Sequence, residues 1–152
     1  MSLHQKHHGL VVRSSVLSEG EMIPLEYTCD GENINPPLTI DNVPEETKSL
    51  VLIVDDPDAP GKTWVHWVVW NINPKGEIAE NSVPGVEGIN DFGRHSYGGP
   101  CPPSGVHRYF FKVYALNITL DLKPNSTKND VRKVMHGNII SEGELICIYK
   151  RH

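Results

Sequence analysis

Two stretches of this 152-residue chain leave little choice of conformation. Ser49–Asp55 (SLVLIVD) and Trp64–Ile72 (WVHWVVWNI) are nearly uninterrupted apolar runs rich in β-branched and aromatic residues. Each reads as a strand buried on both faces. His107–Leu116 (HRYFFKVYAL) is a third strong strand. Alternation puts Arg108 and Lys112 on one of its faces and His107, Tyr109, Phe111 and Val113 on the other. Glu144–Tyr149 (ELICIY) reads as a closing strand, and Ile23–Tyr27 and Leu38–Ile40 as weaker ones beside prolines. One helix is expected after Ser126 or Thr127. Asp130 stands in its first turn, Val131, Val134 and Met135 form its apolar stripe, and Gly137-Asn138 ends it.

Between these elements lie 13 glycines and 12 prolines, an excess that 38% hydrophobic content assigns to ordered turns rather than to disorder. No regular crossover helices link the strands. The expectation is a mainly β sandwich with Greek-key-like connections. The length fits one domain, taken as residues 10–152, behind a flexible tail over residues 1–9. His4, His7 and His8 crowd that tail and read as solvated rather than metal-binding.

The net charge of −5 argues against a general nucleic-acid binder. No apolar run reaches the ~20 residues of a membrane span, and the first residues lack the apolar core of a signal peptide. The three cysteines, Cys29, Cys101 and Cys147, form no CxxC. They are expected to be free thiols in a reducing cytoplasm, Cys29 and Cys147 buried and Cys101 in a loop. No P-loop, dinucleotide fingerprint, HExxH or GxSxG is present, so neither a cofactor nor an enzyme is expected.

Polar residues collect in three places. Asp55–Gly61 (DDPDAPG) follows an apolar strand, and its prolines hold φ at about −65°, which suits a carboxylate that must be aimed. A plain strand-end turn with Asp as backbone acceptor is the simpler reading of the same residues. His66 lies inside the apolar WVHWVVW, where alternation groups it with Trp64, Val68 and Trp70. It must find a partner whether it serves the core or a pocket. Gly93–Arg108 carries four glycines and three prolines and runs straight into His107-Arg108-Tyr109. Long ordered loops of this kind are usually functional. His107 and Tyr109 point one way, while Arg108 points the other and reads as an ion-pair residue. Together these elements could form a small-anion pocket with a carboxylate orienting a histidine. Asp56, Asp58, His66 and His107 contain no ligand-spaced pair, so no metal is expected.

The ordered motifs Asp56-Pro-Asp-Ala-Pro60, Trp64-x-His66 and Gly105-x-His107-Arg108-Tyr109 resemble the phosphatidylethanolamine-binding protein family, also called Raf kinase inhibitor-like proteins. Tyr27–Asn33 with Pro36-Pro37, and Tyr97–Pro103, are similar to its prokaryotic branch. The resemblance implies a sandwich of antiparallel sheets with one or two short helices and a small pocket for phosphate, acetate-like anions or phosphorylated head groups. It implies site residues Asp56, His66, His107 and Tyr109, with Asp58, Pro60 and Trp64 shaping the rim and wall and Pro100 near the closing loop. His66, His107 and Tyr109 would donate to the anion and Asp56 would orient a histidine. Two alternatives stand beside this reading. One is a protein-interaction module that inhibits a kinase or protease through loops at the pocket rim. The other is a hydrolase using an Asp–His pair. A protein partner and a homodimer are both compatible with the sequence.

Overall fold

In the computed structural model, which describes residues 9–151, two antiparallel sheets pack face to face. The histidines of the expected tail lie outside the described residues. The smaller sheet has the order β1 (Val11–Arg13), β2 (Leu38–Asp41), β5 (Glu77–Ile78). The larger has the order β6 (Val86–Glu87), β4 (Trp64–Ile72), β3 (Ser49–Asp56), β7 (His107–Leu116), β8 (Ile139–Tyr149). The chain moves between sheets before closing either one, and β7 returns to pair with β3 across a long separation.

The position of β3 explains its sequence. It is the central strand of the larger sheet, and all eight of its residues are buried. Leu50, Leu52 and Val54 face the smaller sheet, in a core shared with Trp67, Tyr109, Phe111 and Val113. Val51 and Ile53 face the other way, onto Val68, Trp70, Val131 and Met135. A strand covered on both sides has no use for alternating polarity.

The expected helix is present as α1 (Lys128–Met135). Thr127 accepts from the Asp130 amide and Asp130 accepts from the Thr127 amide, closing a capping box. The helix is also tied to the sheet by charge. Asp55 is fully buried and meets Lys128 Nζ at 2.6 Å and Lys112 Nζ at 3.2 Å. A buried carboxylate without such partners would carry a large desolvation cost.

Three expectations change. Ile23–Tyr27 is not a strand of either sheet. Pro24, which has no amide hydrogen to give a ladder, precedes a 3-10 turn at Leu25–Tyr27. The flanking residues instead cover the edge of β8, through a parallel bridge between Met22 and Ile148 and a bond from Ile23 N–H to the Ile148 carbonyl. The last strand also begins earlier, at Ile139. Its extension includes Gly143, where a Cβ would clash with the Leu10 carbonyl oxygen.

The third change concerns the cysteines. Cys29 and Cys101 form a disulfide, while Cys147 is the buried free thiol that was expected. The partners stand 72 residues apart, so only the docking of their two loops could reveal the pair. The bond removes the cysteine-based argument for a reducing compartment. Among the described residues, no helix is long and apolar enough to cross a membrane.

Removing the capping hydroxyl with Thr127→Ala should lower stability by about 1 kcal/mol. In urea unfolding this appears as a lower midpoint at unchanged slope.

Candidate functional site

The end of β3 and the start of β7 are joined by alternate residues of two short motifs. Asp56 accepts the Asp58 amide on Oδ1 at 2.7 Å, which closes the turn. Its Oδ2 accepts Nδ1–H of His107 at 2.6 Å. Asp58 then receives three bonds from Arg108, from its backbone N–H, Nε and Nη2, at 2.8–2.9 Å. The Arg108 clamp is the main cause holding the Asp58 carboxyl down at about 2. Asp56 therefore serves both as the turn's acceptor and as the group that aims His107. Asp58 and Arg108 form the structural brace behind that pair.

His66 reaches the same place by a different device. Val54 pairs with Trp67 and the next residue, Asp55, pairs with Val65, so His66 is the extra residue of a bulge in β4. A bulge re-aims the side chain it inserts. It also breaks the expected shared face. Val68 and Trp70 turn to the helix side, whereas His66 lines a cavity together with Trp64. The His66 ring is held from the loop after β6. Nδ1–H donates to the Gly98 carbonyl at 2.7 Å, and the Gly98 amide donates back to the His66 carbonyl at 3.0 Å. Burial is the main cause lowering the His66 pKa, against an opposing pull from Gly98 and Asp56. The ring is thus neutral with its proton on Nδ1. This leaves Nε2 as an acceptor rather than the expected donor.

These side chains surround a cavity of about 310 Å³. Of the residues singled out in the sequence, Asp56, Pro60, Trp64, His66, His107 and Tyr109 line it. Asp58 and Pro100 do not. Pro100 instead accepts the Cys29 amide through its carbonyl. The Tyr109 ring stands edge-on to His66 at 5.3 Å and roughly parallel to His107 at 6.5 Å. Its side chain is fully buried and its hydroxyl finds no hydrogen-bond partner among the described residues. Burial, and then the nearby negative charge of Asp56, raise its pKa, so the hydroxyl keeps its proton. Among the described residues, no group of three or more His, Cys, Asp or Glu is placed to hold a metal.

Two contributors carry little signal in the sequence. Phe92 packs edge-on against His66 at 5.3 Å and Trp64 at 5.7 Å and forms part of the wall. Asn90 is buried behind it. Its Nδ2 donates to the His66 and Ser96 carbonyls, and its Oδ1 accepts from the Phe92 and Arg94 amides. An isolated Asn and Phe in a Gly-rich loop have no periodicity to mark them, and their roles exist only once the loop folds over β4.

A profile of the phosphatidylethanolamine-binding protein family matches residues 13–150. The chain belongs to this family. A UPF0098 protein of Methanothermobacter thermautotrophicus is 51% identical over 148 residues, spanning 92% of this chain and 98% of that protein. A crystal structure of a phosphatidylethanolamine-binding protein homolog from Chlamydia trachomatis superposes with a TM-score of 0.91 at 39% identity, covering 95% of this chain and 99% of that one. E. coli YbcL, described as a member of the mammalian PEBP family, gives 0.88 at 34% identity over the same shares. The antiparallel sandwich with a short helix is thus this family's fold.

The depressed His66 pKa has a sign that can be checked. The unfolded chain takes up the imidazole proton near about 6.5, whereas the folded ring resists it until lower pH. His66 therefore opposes folding as pH falls below that value. Stability followed from pH 7.5 to pH 5 should decline more steeply in the wild type than in His66→Gln. Equal slopes would show that the ring does not stay neutral.

Proposed function

We propose that the cavity binds a small oxyanion that brings a hydrogen-bond donor of its own, either hydrogen phosphate or a phosphorylated head group with an ammonium or hydroxyl attached, and that the protein works by binding rather than by turnover. The observation that carries this reading is the buried, unpartnered hydroxyl of Tyr109 beside two imidazoles whose Nδ1 atoms are already committed. Tyr109 supplies one donor. His107, when it carries both protons, supplies a second through Nε2 while Asp56 balances its charge. His66 Nε2 supplies an acceptor. Hydrogen phosphate matches that set, because it offers oxygens that accept and one P–OH that donates. Trp64, Phe92 and Pro60 add apolar walls that keep water from competing. The family is named for phosphatidylethanolamine, whose phosphodiester oxygens accept and whose ammonium can give His66 its donor.

The binding reading is preferred to hydrolysis because the cavity lining holds no serine or threonine and its one cysteine is in the disulfide. The Asp56–His107 pair orients a ring, and among the described residues no free side-chain hydroxyl of serine or threonine and no free thiol lines the cavity beside it.

Phosphate should raise the melting temperature of the wild type at fixed ionic strength, and His107→Ala should abolish the shift. Tyr109→Phe should weaken phosphate about tenfold or more by calorimetry, the cost of losing a hydrogen bond to a charged group. Sulfate has no proton to give His66 at neutral pH and should bind about tenfold or more weakly than phosphate. Equal phosphate shifts in wild type and His107→Ala, or equal affinity for the two anions, would overturn the assignment.

A further inference from the structure

The Cys29–Cys101 disulfide stands in the partition between two cavities. Cys101 and Phe92 line both the main cavity and a second one of about 260 Å³, whereas Cys29 lines only the second. Both cysteines are partly buried. Arg94 also opens onto the second cavity and makes no ion pair among the described residues. Cys101 is thus the one cysteine of the pair that borders the main cavity, and Cys29 borders only the second, which Arg94 also lines. Thiol–disulfide exchange needs an attacker, the attacked sulfur and the leaving sulfur in a row, with the leaving thiolate stabilised.

The junction does not depend on the disulfide alone. The Cys29 amide donates to the Pro100 carbonyl, the Gly99 amide to Asn33 Oδ1 at 2.7 Å, and the Tyr97 hydroxyl to the Tyr27 carbonyl at 2.7 Å. Three hydrogen bonds thus hold the two loops together when the S–S bond opens. The remaining thiol does not compete, because burial pushes Cys147 up to about 12.

We infer that Cys29–Cys101 is a thiol–disulfide exchange site for small thiols that carry an anionic group, with the anion seated in the main cavity; the anionic preference rests on the binding reading above. The thiolate attacks Cys101 Sγ. A new S–S bond forms to Cys101 as the Cys29–Cys101 bond breaks, and the electron pair leaves on Cys29 as a thiolate at the second cavity, which Arg94 also lines. A second thiolate of the same kind then attacks the outer sulfur of the mixed disulfide. It releases the small-molecule disulfide and leaves Cys101 reduced, so that two thiols are oxidised for one protein disulfide reduced. Without a second thiolate, Cys29 attacks Cys101 again and expels the first. Occupancy of the main cavity and the oxidation state of the protein are therefore linked. A bound anion shields Cys101, and a captured thiol fills the anion's place.

The experiment exposes the oxidised protein to 2-mercaptoethylphosphonate, whose hydrogen phosphonate group keeps a P–OH as hydrogen phosphate does, and to 2-mercaptoethanol and cysteamine, at matched thiolate concentration and fixed ionic strength. The adduct is followed by intact mass and located by peptide mass. The phosphonate thiol should react about tenfold or more faster than the neutral one, as electrostatic focusing into a cleft allows, and cysteamine slowest. The adduct should sit on Cys101. Saturating inorganic phosphate should suppress the phosphonate reaction several-fold, and Arg94→Ala should slow it. Rates independent of thiol charge, or an adduct on Cys29, would overturn the proposal. So would indifference to phosphate when calorimetry on the same sample shows phosphate bound. If calorimetry shows no phosphate binding, the anion reading fails by itself. The exchange site is then judged by the rate order and the adduct position alone, both read on the wild-type protein.

Discussion

The carboxylate of Asp56 is the constraint on which the rest of the site depends. One oxygen closes the turn after β3 and the other holds His107 at the start of β7. Both bonds must form together, since they share one side chain at the end of a fully buried strand. The turn therefore cannot relax without releasing the histidine. Prolines at 57 and 60 restrict the same few residues, so little conformational freedom remains in the turn.

The neighbouring residue shows how sharply strand alternation divides labour. Asp55 points to the opposite side of the sheet and serves the helix, through Lys112 and Lys128. Asp56 serves the cavity. Two adjacent, identical, buried side chains thus hold separate charges on separate faces, and their partners keep the two sets apart. The same alternation places Arg108 on the brace at Asp58 while His107 and Tyr109 turn inward.

Much of this was legible in advance. The strands at 49–56, 64–72 and 107–116 follow from apolar runs, and the helix follows from its cap and stripe. The contribution of His107 and Tyr109 follows from their spacing and from the glycine-rich loop before them. What failed did so for local reasons. The bulge at His66 overturns simple alternation, because one inserted residue shifts every later side chain to the other face. The strand expected at 23–27 is a turn that covers a sheet edge, a role visible only beside β8. The disulfide joins cysteines 72 residues apart, and no spacing rule reaches that far.

By itself, the sequence determined the long strands of the larger sheet, the one helix, the rigid turn and the few polar residues that stand at strand ends. These are short-range properties, set by side-chain size, branching and proline geometry within a few residues. Only the tertiary structure decided the chemistry at the end of the sandwich. It committed Asp56 to His107, gave the His66 proton to a loop carbonyl, left the Tyr109 hydroxyl unpartnered, and set a disulfide between two cavities. Each of these turns on contacts between segments roughly 30 to 70 residues apart. A proton's position or a sulfur's exposure is fixed by the atoms that surround it, and the folding of distant segments onto one another supplies those atoms.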